Sequence, residues 1–295
     1  MGEAVGVVGL GIMGSAFSSN LIDAGFEVYG RDPDAACAKR FADKGGTALG
    51  SPAEVITAAS VVITSLPSVA ALEAVVSGPD GLASAERKDA VVIECSTFPI
   101  DAKERARDAL AATGITMLDC PVSGTGAQAA AKDIAVYASG DEKAFERVKP
   151  LFAAFSKAAF HVGPFGHGSK LKFIANLLVH IHNASTAEAM VLGMKAGLDP
   201  QLIFDVIRPG AGNSRIFELR GPMMVKNDYQ PPTMKMDVWR KDMEVIGKFA
   251  RDVDAPVPLF AAAEQLYHAA LAAGLGAEDT AAICAVYEDM AGVKR

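Results

Sequence analysis

A chain of 295 residues exceeds the usual size of one domain, so two domains are expected. With 51% hydrophobic and 21% charged residues it has the balance of a folded globular protein, which excludes a disordered scaffold. The formal net charge of -7 repels polyanions, and no basic run with interleaved aromatics offsets it, so no nucleic-acid partner is expected.

In chain order, short β-branched runs alternate with helical segments. Val5–Val8, Glu27–Tyr29, Val61–Leu66, Val91–Glu94 and Ile115–Asp119 are predicted strands, nearly continuous in apolar character, as strands covered on both faces must be. Ser51-Pro52-Ala53-Glu54 has the form of a capping box with Pro at the first helical position, and Ser68 and Pro99 open further helices. This βαβ alternation predicts a parallel, doubly wound α/β sheet. A last strand over Ala158–Val162 is followed by long helical periods, broken at Gly197, Pro209-Gly210, Gly221-Pro222, Pro231-Pro232 and Pro256-Val257-Pro258. The first of these runs from about Ser169 to Ala196, with Gly197 as its C′ residue and Asp199-Pro200 starting the next helix. The expected division is residues 1–163 as an α/β domain and 164–295 as an all-α domain. Its alanine-rich helices leave apolar surface for a partner subunit, so a homodimer or homotetramer is expected.

Cys37, Cys95, Cys120 and Cys284 are widely spaced with no C-x-x-C pair, which predicts reduced, buried thiols and neither a zinc knuckle nor a disulfide framework. Met1–Gly6 lacks the basic stretch of a signal peptide and the Ser or Thr that a myristoylation motif needs at position 6. The apolar stretch Leu177–Ile181 is too short to span a bilayer, so the reading is a cytoplasmic protein without a membrane partner.

Gly9-Leu10-Gly11-Ile12-Met13-Gly14 follows the first strand and opens a helix, where a dinucleotide-binding Rossmann unit needs its G-x-G-x-x-G turn. Gly9 allows the turn, Gly11 lets a pyrophosphate approach the backbone, and Gly14 lets helix and strand pack. After the second strand stands Arg31-Asp32. A carboxylate there holds ribose hydroxyls, whereas an arginine there holds a 2′-phosphate; the reading is NAD, with NADP not excluded and two solvated loop charges as the alternative. On the long helix Lys172, Asn176, His180 and Asn183 recur at spacings of four, four and three and share one face. A partly buried lysine there suits proton transfer; the alternative is a polar stripe facing solvent. His180 and His182, two apart on a helix, point in different directions, so no metal site is expected.

The glycine turn, Leu66-Pro67, Glu94-Cys95-Ser96-Thr97, Asp119-Cys120-Pro121-Val122-Ser123-Gly124, Gly166-His167-Gly168-Ser169-Lys170-Leu171-Lys172 and Lys241-Asp242 occur in this order. Together they resemble the β-hydroxyacid dehydrogenases over essentially the whole chain. The resemblance implies hydride transfer between a nicotinamide cofactor and a small anionic hydroxy acid. Lys172 is then the catalytic lysine, with Asn176 beside it at the substrate. Ser123 and Gly124 hold the substrate carboxylate, Leu66 and Pro67 adjoin the cofactor, and Thr97 and Lys241 line the nicotinamide end. Two departures bear on the substrate pocket: Thr125 stands where the family commonly has Gly, and Ala175-Asn176 where it commonly has Asn-Asn. Ala211-Gly212-Asn213-Ser214 resembles the threonate dehydrogenase branch and points to a polyhydroxylated sugar acid. The competing readings are an imine reductase-like enzyme, which usually lacks lysine at the catalytic position, and a catalytically silent dinucleotide-binding protein.

Overall fold

The computed structural model describes residues 4–295; the first three residues, part of the N-terminal reading above, lie outside it. The strands β1 (Ala4–Val8), β2 (Glu27–Arg31), β3 (Thr47–Ala48), β4 (Val61–Thr64), β5 (Val91–Glu94) and β6 (Thr116–Asp119) form one six-stranded sheet in the order β3-β2-β1-β4-β5-β6. Every neighbouring pair is parallel. Successive side chains leave opposite faces, so Val7, Ile63, Ile93 and Leu118 pack into one core while Val8, Val62, Val92 and Met117 pack into another. Burial on both faces is why these strands read as unbroken apolar runs. The strand order reverses between β1 and β4, the topological switch point beside which such sheets bind ligands.

Helices α1 (Ile12–Asp23), α2 (Ala35–Asp43), α3 (Pro52–Ala58), α4 (Val69–Ser77) and α5 (Ile100–Ala111) connect these strands. The Ser51 side chain caps α3 by accepting from the Glu54 N–H, whereas the Glu54 carboxylate reaches back to the N–H of Gly50 and not to that of Ser51. Ser68 caps α4 in the same way, and Pro99 occupies the N-cap of α5.

The expected last strand is present as β9 (Ala158–His161), but it does not extend the parallel sheet. It belongs to a second, three-stranded sheet, β7-β8-β9, with β7 (Val122–Ser123) and β8 (Ala135–Ala138). β7 runs antiparallel to β8, and β8 runs parallel to β9. The two-residue β7, like β3, is too short to read from sequence, and β8 has a single β-branched residue, Val136. Between them lie α6 (Gly126–Ala130) and α7 (Glu142–Phe155).

The chain divides into two compact units, one ending at Lys172 and one running from Phe173 to Arg295. The long helix α8 (His167–Lys195) therefore has its first six residues in the first unit. In the second unit follow α9 (Pro200–Ile207), α10 (Arg215–Lys226), α11 (Met236–Asp252), α12 (Pro258–Ala272) and α13 (Ile283–Ala291). Asp199 caps α9 and Pro200 is its first helical residue. Gly221-Pro222 does not break a helix; it lies inside α10, where the Phe204 ring of α9 sits 2.6 Å from the position a Gly221 Cβ would take. The glycine marks a close approach there and not a turn. All four cysteines are free and buried. Among the described residues no helix is long and apolar enough to cross a membrane.

Candidate functional site

The glycine turn leaves β1 beside the switch point. A Cβ on Gly9 would lie 2.2 Å from the Ser65 carbonyl oxygen and one on Gly14 only 1.8 Å from the Gly9 carbonyl oxygen, so neither position admits a side chain. Gly11 differs: a Cβ there would meet nothing within 4 Å. Gly11 is also the N-cap of α1, and it supplies no side-chain cap, while α2, α3 and α4 are each capped by Asp34, Ser51 or Ser68. An uncapped helix start under open space leaves backbone N–H groups to be satisfied by an anion, and this cradle fits the pyrophosphate of a dinucleotide. Ile12 is 80% exposed, Met13 is half-buried, and Leu10 is fully buried.

Asp32 is tied into the turn. Its Oδ2 accepts the Leu10 N–H at 2.7 Å and its Oδ1 accepts the Asp34 N–H at 2.8 Å, so the carboxylate is held at the end of β2 and is not a loose loop charge. The Arg31 guanidinium donates to the Asp32 carbonyl. Leu66, after β4, has its Cδ2 3.1 Å from the Gly9 Cβ position, and its N–H donates to Ser96 Oγ at 2.8 Å, next to the half-buried Thr97; Pro67 is exposed. The structure thus brings Leu66 to the glycine turn.

Ser123, at the end of β7, is half-buried. Gly124 has φ +143°, and a Cβ would lie 2.5 Å from Ile134 Cγ2, so only glycine fits. Thr125, the departure from the family pattern, is the N-cap of α6: its hydroxyl accepts the Gln128 N–H while Gln128 Oε1 accepts the Thr125 N–H at 3.0 Å. The substitution has given this loop a capping box that a glycine could not form. This loop also adjoins the glycine turn, since a Gly126 Cβ would lie 2.3 Å from Ile12 Cγ2, and Asn20 of α1 donates to the Ala129 carbonyl at 2.8 Å.

On α8 Lys172 is half-buried, whereas Asn176, His180 and Asn183 are buried within the second unit. A solvent-facing stripe is therefore incorrect for those three. Asn176 donates to Asp242 Oδ2 at 3.0 Å, and Asp242 Oδ1 lies 3.5 Å from Lys241 Nζ, so one carboxylate of α11 joins two of the expected site residues. His180 Nδ1 accepts the Trp239 indole N–H at 3.0 Å, and its ring stacks 4.2 Å from that of Tyr267. Burial pulls the His180 pKa down to about 4, which keeps the ring neutral. Asn183 donates to the Tyr267 hydroxyl and to the Thr280 carbonyl, both at 2.8 Å. The sequence signal was the shared face; what it could not show was that these polar groups point into neighbours.

Sequence reasoning also missed a charged cluster. Lys103, Glu94 and Asp119 are wholly buried, with the Lys103 ammonium 2.8 Å from Asp119 Oδ1 and 2.6 Å from Glu94 Oε2, the latter a charge contact without hydrogen-bond alignment. Burial alone would lower the Lys103 pKa, but the Asp119 and Glu94 charges outweigh it and hold it above its ordinary value. Burial raises the Cys95 and Cys120 thiols, so neither is a nucleophile.

A sequence profile of the NAD binding domain of 6-phosphogluconate dehydrogenase matches residues 4–163, and one described as NAD-binding of NADP-dependent 3-hydroxyisobutyrate dehydrogenase matches residues 166–287. An L-threonate dehydrogenase of Cupriavidus necator is 38% identical over 97% of this chain and 97% of its own length. The solved structure of 3-hydroxyisobutyrate dehydrogenase from Salmonella typhimurium superposes with a TM-score of 0.85 at 32% identity, covering 96% of this chain and 99% of that one. An imine reductase from Pseudomonas sp. shares the fold, with a TM-score of 0.66 at 20% identity over 96% of this chain and 98% of its own. With a dinucleotide cradle at the switch point and matches of this kind along both units, the chain belongs to the β-hydroxyacid dehydrogenases, nicotinamide-dependent oxidoreductases of small hydroxy acids.

Proposed function

We propose that this chain oxidises L-threonate or a closely similar polyhydroxylated acid, with NAD preferred over NADP and Lys172 as the group that takes the hydroxyl proton. The observation that carries this reading is the 38% identity with an L-threonate dehydrogenase along nearly the whole of both chains. A bound nicotinamide supplies the hydride acceptor. Lys172 Nζ, as the neutral amine, takes the hydroxyl proton while the O–H electron pair becomes the carbonyl π bond and the C–H pair departs with its hydrogen as hydride. Ser123, Gly124 and Thr125 hold the acid's carboxylate, and Asn176, fixed by Asp242, orients the substrate. Gly9, Leu10, Gly11, Ile12, Met13 and Gly14 receive the pyrophosphate, with Leu66, Pro67, Thr97 and Lys241 at the cofactor as the family pattern assigns them. Local cationic and backbone N–H groups draw in an anionic substrate against the net charge of -7.

The preference for NAD is supported by Asp32, whose carboxylate is pinned by two backbone N–H groups beside the turn, where it accepts from ribose hydroxyls and repels a 2′-phosphate. A homodimer or homotetramer is supported by the apolar side chains Leu198, Leu202, Val206 and Leu259, each half or more exposed. Buried, unpaired thiols suit a cytoplasmic setting.

The test is a panel of hydroxy acids with NAD and with NADP, followed by reduced-nicotinamide absorbance. Turnover of L-threonate with NAD, at a kcat/KM about tenfold or more above that with NADP, supports the reading. Nucleotide binding with no turnover of any acid would favour the silent reading, and sedimentation as a monomer would remove the oligomer.

A further inference from the structure

The Glu94, Lys103 and Asp119 cluster lies outside the residues assigned to chemistry, yet it reaches the helix that carries one of them. Asp119 ends β6 and turns both oxygens to the start of α8: Oδ2 accepts the Ser169 N–H and Oδ1 accepts the Ser169 hydroxyl, each at 2.8 Å. Ser139 Oγ donates to Asp119 Oδ2 at 3.2 Å and accepts the Gly168 N–H at 3.0 Å. A Cβ on Gly168 would lie 2.2 Å from the Tyr137 carbonyl oxygen, so the backbone of α8 is pressed directly against β8. Asp119, Ser139 and Ser169 are all buried. One ammonium between two carboxylates leaves one negative charge in excess, and the positive end of α8 stands against the carboxylate that carries the clamp. Lys172 follows Ser169 by three residues on the same helix, so whatever fixes this turn fixes the base of its side chain.

We propose that Asp119, its charge balanced by Lys103, is a positioning residue that clamps the first turn of α8 through Ser169 and so sets where the Lys172 amine stands at the reacting hydroxyl. The inference rests on the role given to Lys172 above. The clamp is built for precision: a carboxylate that accepts a backbone N–H and a hydroxyl of one residue leaves that residue no rotational freedom, and charge-assisted hydrogen bonds hold distance more tightly than neutral ones. A displacement of the order of 1 Å in a proton-transfer group costs up to about a hundredfold in rate.

Two variants test it without adding to the buried charge imbalance. Asp119→Asn retains the Lys103 and Glu94 pair but puts an amide NH2, which cannot accept, at one of the two oxygen positions that serve Ser169; Ser169→Ala removes the hydroxyl and leaves the ionic cluster intact. Assayed below their own melting temperatures, Asp119→Asn is expected to lose about tenfold to a hundredfold in kcat and Ser169→Ala about fivefold, with nucleotide Kd within about twofold of the parent. Ser169→Thr, which restores the hydroxyl, is expected to recover kcat to within about twofold. A purely structural role would lower the melting temperature and leave kcat unchanged. The inference is overturned if both variants keep kcat within about twofold while Lys172→Ala loses about a hundredfold, or if nucleotide affinity falls in step with kcat. Should Lys172→Ala itself retain turnover, the reading of Lys172 fails first and the inference goes with it.

Discussion

At its N-terminal end α8 meets charged partners, and further along the same helix it meets neutral ones. The first turn is held by Asp119, itself bound to Lys103 and through it to Glu94, three charges with no exposure to solvent. From Asn176 onward the buried polar groups on its inner face are chiefly amides and a neutral imidazole, with hydrogen bonds to Trp239, Tyr267 and the Thr280 carbonyl. Asp242, bound to Asn176, is the one carboxylate in that row. Burying an ion pair gains little stability over apolar packing, whereas neutral groups that find partners are buried at modest cost. A charged cluster under the turn that carries Lys172 therefore calls for a reason other than stability, and fixed position is the one the geometry offers. The neutral row needs none beyond packing of the helical unit.

The largest expected effect breaks or keeps the charged end of this comparison. Lys172→Ala is expected to lower kcat by about 10² to 10⁴ while nucleotide affinity, measured by calorimetry, stays within about twofold; retention of more than about a tenth of kcat would end the catalytic reading. Next, Lys103→Met leaves Glu94 and Asp119 buried without a countercharge, and a loss of about 3 to 5 kcal/mol in denaturant unfolding is expected. A change below about 1 kcal/mol would mean that solvent reaches the cluster and screens it.

The neutral row makes its own demand on pH. An ordinary histidine titrates near 6.5, and burial holds His180 at about 4. Between those values the unfolded chain binds a proton that the folded chain refuses. This contribution is thus fully present above pH 6.5 and declines as pH falls toward 4, by up to about 3 kcal/mol. The melting temperature of His180→Gln is expected to fall less than the parent's between about pH 7 and about pH 5; parallel curves would show that His180 takes up a proton in the fold. The smallest effect is that of Asn183→Ala, which leaves the Thr280 carbonyl and one bond of Tyr267 unpaired and is expected to cost about 1 to 3 kcal/mol with kcat unchanged.

The sequence by itself determined the parallel sheet, the glycine turn and the long helix. Each rests on a signal that is local and repeated: unbroken apolar runs for strands buried on both faces, glycines where backbone crowds backbone, and a period and a C′ glycine for α8. Lys172 and Asn176 were legible as neighbours on one face because helical spacing alone puts them there. The three-stranded sheet was not legible, since β7 has only two residues and β8 only one β-branched residue, and Gly221-Pro222 read as a break because the Phe204 ring that requires the glycine lies on another helix. Which way the polar face of α8 is satisfied was decided only in three dimensions. Glu94, Lys103 and Asp119 come from a strand, a helix and another strand, and Asp242 reaches Asn176 from 66 residues away. No spacing rule links such groups. Their partnership exists because folding brings separate elements within hydrogen-bond distance, where a charge removed from water must find a counterpart.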